Sequence, residues 1–225
     1  MDFYSEIIDL ILSQKIHTKL ELHRAKILLC KKYKIDVIPP DSEILARLPE
    51  DFSEEDKEFA VSLLRKKSTR TISGVAIVAV MTSPEHCPHG LCIPCPGGPD
   101  YNTSQSYTGH EPAAMRGSQN RFDPYLQVRS RIEQLEAIGH TVDKIDLIVM
   151  GGTFPAAPRE YRESFIKGCL DAITLQSSTS FAEAKLNAEN SETRNVGVTF
   201  ETRPDHLEPH HIDDLLDLGG TRVEI

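Results

Sequence analysis

The chain has 225 residues, 39% of them hydrophobic, with a net charge of −9 and a mean hydropathy of −0.32. That excludes a collagen-like or low-complexity chain, and no apolar run is long enough to span a membrane as a helix. An overall acidic balance also argues against indiscriminate binding to polyanions, but residues 1–70 carry equal numbers of basic and acidic side chains, so the whole excess of acid lies beyond them.

The first 70 residues read as helical. Phe3, Ile7, Ile8 and Ile11 recur at helix spacing, and a second helix is expected over residues 18–33. A short helix follows Pro39-Pro40 at about residues 44–48. Ser53 then caps another, with acids in its first turn and Arg65-Lys66-Lys67 at its end. Between Lys15 and Lys34 the basic residues outnumber the one acid, Glu21, and Lys19, His23 and Lys26 share a helix face. Such a face suits RNA phosphates, or is simply solvated.

From residue 74 the period changes. Residues 74–82 form an apolar, β-branched strand, followed by a long polar loop that runs to about residue 120. Asp123-Pro124 opens a helix that Gly139 closes. Residues 145–150 are a second strand ending on Gly151-Gly152-Thr153. Helices are expected over 158–175 and 180–188, a third strand over 195–202, a helix over 209–218, and a fourth strand over 222–225. Strands alternating with helices imply an α/β domain with a parallel sheet, and ending on a bare strand is expected of a chain whose C-terminal part is missing.

Three of the five cysteines crowd into the loop after the first strand, as Cys87, Cys92 and Cys95, spaced C-x4-C-x2-C among prolines and glycines. No pairing satisfies all three as disulfides. With an odd cysteine count and no export signal, a reducing cytoplasm is the expected compartment. Three thiols on one loop fit a [4Fe–4S] cluster with one iron left open. They also fit zinc, with His86 or His89 as a fourth ligand. Ligands in parallel α/β folds bind at the carboxyl ends of strands, and the cysteine loop, Gly151-Gly152-Thr153 and Glu201-Thr202-Arg203 all lie there. Cys30 and Cys169 fall in helical patterns as buried fillers. The adjacent rings of His210-His211 are expected to point apart, against joint metal ligation. Tyr107 and Tyr125 are candidates for base stacking and Arg116 and Arg121 for phosphate contacts, with packing as the plainer explanation.

A cysteine triad after the first strand and a glycine pair after the second resemble the radical S-adenosylmethionine superfamily. Three features depart from its general pattern: the x4 interval, Pro94 where an aromatic is usual, and Thr153 where an acid is usual. The strings Cys-Pro-Gly-Gly-Pro-Asp (95–100), Ser-Gln-Ser-Tyr-Thr-Gly (104–109), Asp-Pro-Tyr (123–125), Val-Met-Gly-Gly-Thr-Phe (149–154) and Glu-Thr-Arg-Pro-Asp (201–205) resemble the elongator protein 3 family, the catalytic subunit of Elongator, and its archaeal members in particular.

The resemblance implies a small helical N-terminal domain over 1–70, facing tRNA through basic helices, and an incomplete radical-SAM-type (β/α) barrel over 71–225. It implies that a C-terminal acetyltransferase domain is absent, so that the fragment cannot turn over tRNA unaided. The implied reaction is modification of the wobble uridine of tRNA at C5, as a carboxymethyluridine synthase or acyltransferase. In the family an electron from the cluster cleaves S-adenosylmethionine, and acetyl-CoA supplies the added carbons. Cys87, Cys92 and Cys95 would carry the cluster, and Gly151, Gly152 and Thr153 would lie against the cofactor. Lys144 would contact acetyl-CoA, with Glu201 and Arg203 as further cofactor or substrate contacts. Elongator-like subunits or a second copy are the implied protein partners. The alternatives that remain are a zinc-stabilised RNA-binding or scaffolding module, and a radical enzyme acting on another substrate.

Overall fold

A computed structural model describes residues 2–49 and 53–225. The chain divides into two compact units: Met1–Ser73 with Glu133–Thr141, and Gly74–Ile132 with Val142–Ile225.

The first unit is helical. Helix α1 (Phe3–Leu12) starts where the Asp2 side chain accepts from the Ser5 N–H, and α2 (Lys19–Tyr33) starts on a capping box made by Thr18 and Glu21. Lys34, in the left-handed region at φ 56°, stops α2. Helix α3 (Asp41–Leu45) begins directly after Pro40, three residues earlier than expected, because the acids Asp41 and Glu43 favour its N-terminal turn. Helix α4 (Glu54–Leu64) is capped by Ser53. Ile7, Ile11, Leu22, Ile44 and Leu64 are fully or almost fully buried and form the core. The 133–141 segment is held by His140, whose ring nitrogens meet Thr71 Oγ1 at 2.8 Å and the Lys66 carbonyl at 2.9 Å.

Two of the three basic residues expected on the RNA-facing surface of α2 are committed to the fold. Lys26 is buried and bonds Asp41 at 2.8 Å, and Lys19 donates to the Arg65 carbonyl at 2.6 Å. The third, His23, is exposed.

The second unit is built on one parallel sheet in the order β1-β2-β3-β4, comprising β1 (Ala76–Met81), β2 (Lys144–Met150), β3 (Arg194–Glu201) and β4 (Arg222–Glu224). Each strand pairs with the next in sequence, which is the order of a (β/α) barrel open after four strands. Between the strands run α5 (Pro112–Gln119), α6 (Pro124–Glu136), α7 (Arg159–Thr174), α8 (Phe181–Asn190) and α9 (Pro209–Asp217). Helix α5 departs from the sequence expectation. It occupies part of the stretch read as loop, and its apolar signal is reduced to the small residues Ala113, Ala114 and Gly117 that it buries.

The core lies on one face of the sheet. Val78, Val80, Ile145, Leu147, Val149, Val198 and Phe200 pack there against Val128, Phe165, Ile166, Cys169 and Leu215, and Phe154 stacks on Phe200 at 5.2 Å. The other face is more open: Ile77 is about half exposed. On β2, Asp146 is buried and paired with Arg222; a Cβ on Gly197 would stand 2.9 Å from its carboxylate, so only glycine leaves room beside that ion pair.

Candidate functional site

The carboxyl ends of β1, β2 and β3 deliver three loops to one place. From β1 comes the cysteine loop, from β2 Gly151-Gly152-Thr153, and from β3 Thr202-Arg203. Cys87, Cys92, Cys95, Gly152, Thr153 and Arg203 together line a cavity of about 210 Å³.

Each of the three sulfurs faces a hydrogen-bond donor, and Cys95 Sγ itself donates to the Gly97 carbonyl at 3.1 Å. Thr153 Oγ1 lies 3.4 Å from Cys87 Sγ, Arg203 Nη1 2.8 Å from Cys92 Sγ, and the Ser106 N–H 3.1 Å from Cys95 Sγ. Donors so placed stabilise charge on sulfur, the form in which a thiol binds a metal. Arg203 is itself braced by Asp205, through Nε at 2.9 Å and Nη2 at 3.1 Å. That bond raises the arginine further above its usual range and holds the Asp205 carboxyl below its own. Arg203 Nη1 is also 2.8 Å from His89 Nε2. An arginine can only donate, so Nε2 accepts and the imidazole proton sits on Nδ1. The same Nε2 lies 3.2 Å from Cys92 Sγ, so His89, Arg203 and Cys92 form one cluster.

The two glycines have different tasks. Gly151 has φ 114°, and a Cβ there would fall 2.6 Å from Thr82 Oγ1. Gly152 has φ 62°, and its Cβ would meet Cys87 Sγ at 3.6 Å. The first leaves room for the side chains of Thr82, Met81 and Ser104, and the second keeps the chain close beside a sulfur.

Glu201 does not point freely into the mouth. Its Oε2 accepts from Tyr107 Oη at 2.5 Å and from the Gly151 N–H at 3.1 Å. Burial, reinforced by Glu201, pushes the Tyr107 phenol far above its usual range, so it remains a donor. Sequence reasoning missed this linkage, and missed Gln105, whose side-chain oxygen accepts from the Cys87 N–H. Their signal was present: Tyr107 and Gln105 both lie in the string 104–109 singled out by its family likeness.

A second cavity of about 280 Å³ adjoins the first, sharing Cys87, Gln105, Gly152 and Thr153 and continuing along Ser83, Phe154 and Tyr161. Tyr161 Oη accepts from the Ser83 N–H at 2.9 Å and fixes its wall.

Lys144 is not brought to this mouth. It opens β2 at the opposite end, six residue steps or about 20 Å from Met150, and pairs with Asp143 at 3.0 Å. Arg116 donates to the Ala79 carbonyl at 2.8 Å from a half-buried position, a packing role. Tyr107 is buried, so it offers no face for a base, whereas Tyr125 and Arg121 are exposed. Cys30 and Cys169 are buried, as expected. The expectation for His210-His211 fails: their ring centroids lie 3.9 Å apart, at an angle of 38°.

A family model described as the ELP3 N-terminal domain matches residues 1–72. The chain is 55% identical over 190 residues to the tRNA uridine(34) acetyltransferase of Methanocaldococcus infernus, which covers 83% of this chain and 35% of that protein. It is 45% identical over 225 residues to Elongator complex protein 3 of Drosophila melanogaster, covering 96% of this chain and 40% of that one. The chain belongs to the elongator protein 3 family. A solved structure of archaeal Methanocaldococcus infernus Elp3 with an N-terminal deletion (1–46) superposes with a TM-score of 0.51 at 44% identity, over 67% of this chain and 28% of that one. The chain thus spans well under half the length of these family members.

Proposed function

We propose that this chain is the radical S-adenosylmethionine portion of an enzyme that modifies the C5 position of the wobble uridine of tRNA, with acetyl-CoA as co-substrate. The observation that carries this reading is the cavity where three thiols from one loop each meet a donor, two of those donors coming from other strand ends.

The residues fit a [4Fe–4S] cluster. Cys87, Cys92 and Cys95 would hold it, and the remaining cysteines are buried, which leaves one iron for a ligand that is not cysteine. A single zinc fits less well. Tetrahedral bonds of about 2.3 Å would draw the sulfurs to roughly 3.8 Å of one another. Among the described residues, the trio of donor atoms found within 4.8 Å is not these thiols but Glu208, His210 and His211.

When bound, the cluster and S-adenosylmethionine supply one-electron reductive chemistry; the protein's part is to bind, aim and shield. Gly151 and Gly152 let the backbone lie against the cofactor. Glu201 pins Gly151, and Tyr107 pins Glu201. Arg203, Thr153 and Ser106 balance charge on the three sulfurs. The adjoining cavity along Phe154 and Tyr161 gives room for the organic part of a ligand. Lys144, at the far end of β2, would serve an acetyl-CoA group only at a place apart from this mouth.

The exposed basic residues Arg24, Lys31, Lys34, Lys66, Lys67 and Arg70 of the first unit supply phosphate contacts for tRNA. Protein partners follow from the relatives named Elongator complex protein 3, and a cytoplasmic setting from the three free thiols; no described helix is long and apolar enough to cross a membrane.

The test is anaerobic reconstitution with iron and sulfide, followed by reduction in the presence of S-adenosylmethionine. Release of 5′-deoxyadenosine, lost in Cys92→Ser, supports the reading. A reconstituted protein that binds iron yet never cleaves the cofactor counts against it.

A further inference from the structure

The segment that leaves β3 carries chemistry that the mouth does not use. It runs His206-Leu207-Glu208-Pro209-His210-His211, three histidines and a carboxylate within six residues. We propose that Glu208, His210 and His211, with His206 beside them, form a second metal site, selective for a divalent transition ion of the zinc, cobalt or nickel kind.

Local structure gathers the donors. Pro204–His206 form a tight 3-10 turn, and Pro209 opens α9 as its first residue. Glu208 stands at the N-cap in extended conformation, but its side chain makes no capping bond, so its carboxylate is left for other use. Ligand atoms of Glu208, His210 and His211 all lie within 4.8 Å of one another. Glu208 Oε2 is 3.6 Å from His210 Nδ1. The rings of His210 and His211 sit 3.9 Å apart, and that of His206 is 5.2 Å from His211.

A second observation points to a ligand. His206 Nδ1 and His211 Nδ1 are both buried and have no hydrogen-bond partner in the protein. An orphaned buried nitrogen costs about 1–3 kcal/mol, and such groups in native proteins are usually answered by something outside the polypeptide. Ordinary packing gives no reason to crowd three imidazoles, since each repels the others once protonated. An ion that accepts their lone pairs removes both penalties.

The donor set defines the class of ion. Imidazole nitrogens with one carboxylate suit zinc, cobalt, nickel and copper, whereas calcium and magnesium take oxygen ligands. Bonds of about 2.0–2.1 Å require the donors to close from their present spacing. His210 and Glu208 are about two-thirds exposed, so these two side chains have room to rotate toward the ion.

The site bears on the mouth through the chain itself. Arg203, which donates to Cys92, and Asp205, which braces it, immediately precede His206. An ion at 206–211 would fasten the turn that presents Arg203. Metal binding here does not depend on what occupies the cysteine cavity.

The test uses the full chain with Cys87, Cys92 and Cys95 replaced by serine, so that those thiols cannot compete, and stripped with chelator. Titration with Co²⁺ is expected to give one equivalent bound at micromolar concentration or tighter. Its visible spectrum should be that of nitrogen and oxygen ligation, without thiolate charge-transfer bands, and Zn²⁺ should displace it. His210→Ala, at an exposed position that the fold does not need, should weaken binding by at least about tenfold to a hundredfold. Glu208→Gln should weaken it less, with circular dichroism unchanged in both. Binding only at millimolar Co²⁺, or binding unaltered in both variants, overturns the proposal. So does equal affinity for Mg²⁺.

Discussion

Arg203 reaches Cys92 across 111 residues of sequence and donates to its sulfur at 2.8 Å, while Asp205 holds the guanidinium from behind. Replacing Arg203 with alanine removes a charge-assisted bond from one of the three sulfurs. Hydrogen bonds and positive charge near cluster sulfurs favour the reduced state. With the cluster reconstituted, Arg203→Ala should lower its midpoint potential, and Arg203→Lys, which keeps the charge but not the fork, should fall between. A redox titration followed by electron paramagnetic resonance reads this directly; identical potentials would assign Arg203 to binding alone.

The two glycines after β2 should not be equivalent. Alanine at 151 would place a Cβ 2.6 Å from Thr82 Oγ1 on top of an unfavourable φ of 114°, so a loss of about 2–4 kcal/mol is expected. Alanine at 152, with φ 62° and its nearest contact at 3.6 Å, should cost only about 1 kcal/mol. Urea unfolding of the two variants gives the comparison. Equal losses would mean that the Thr82 contact is relieved by local movement.

Glu201 acts through hydrogen bonds that a neutral amide can also accept. Glu201→Gln should therefore stay within about 1 kcal/mol of the parent, while Glu201→Ala, which orphans Tyr107 Oη and the Gly151 N–H, should cost about 2–3 kcal/mol. Urea unfolding reads the comparison: if Gln is as damaging as Ala, the negative charge itself holds the Tyr107 and Gly151 donors.

The Arg162–Asp214 pair makes a pH dependence. Arg162 is buried and donates to Asp214 at 2.9 Å, a bond that holds the Asp214 carboxyl below the usual range. Stability from this pair is fully present above the ordinary carboxylate pKa of about 4 and is lost as pH falls through the lowered folded value. Asp214→Asn should lower the urea midpoint at pH 7 by an amount equivalent to about 2–3 kcal/mol, because it leaves a buried guanidinium without its counter-charge. The gap between variant and parent should narrow below pH 4. A gap that stays constant from pH 3 to 7 would show that the pair does not titrate.

For the first unit, the structure separates lysines that hold the fold from those free to meet RNA. Lys26→Ala should destabilise the unit, since Asp41 loses its buried partner. Replacing Lys66, Lys67 and Arg70 together should leave stability within about 0.5 kcal/mol and reduce the salt dependence of tRNA binding, with a slope smaller by about one for each phosphate that is no longer neutralised. Unchanged binding over a range of salt would place the tRNA elsewhere.

Much of this was legible beforehand because it rests on local physics. The helical pattern over 18–33 announces α2, and Asp123 before Pro124 announces α6. The apolar runs that became β1, β2 and β3 set where the three loops emerge. What remained hidden depends on side chains that meet across long separations. Tyr107 and Glu201 are 94 residues apart, and the string 104–109 marks the tyrosine without naming its carboxylate partner. Helix α5 escaped because it buries alanines and a glycine, which carry little periodic contrast. The His210-His211 pair escaped for another reason: adjacent residues on a helix ordinarily diverge, and the side-chain rotamers that bring these two rings to 3.9 Å leave no mark in the sequence.

The central claim is that Cys87, Cys92 and Cys95 share an iron–sulfur cluster with one iron open to S-adenosylmethionine. Electron paramagnetic resonance of the anaerobically reconstituted, reduced chain tests it most directly. About four irons per chain and a signal that changes when S-adenosylmethionine is added, both lost when the three cysteines become serine, are the expected result. A colourless protein holding zinc in those thiols, or a cluster signal indifferent to the cofactor, would contradict it.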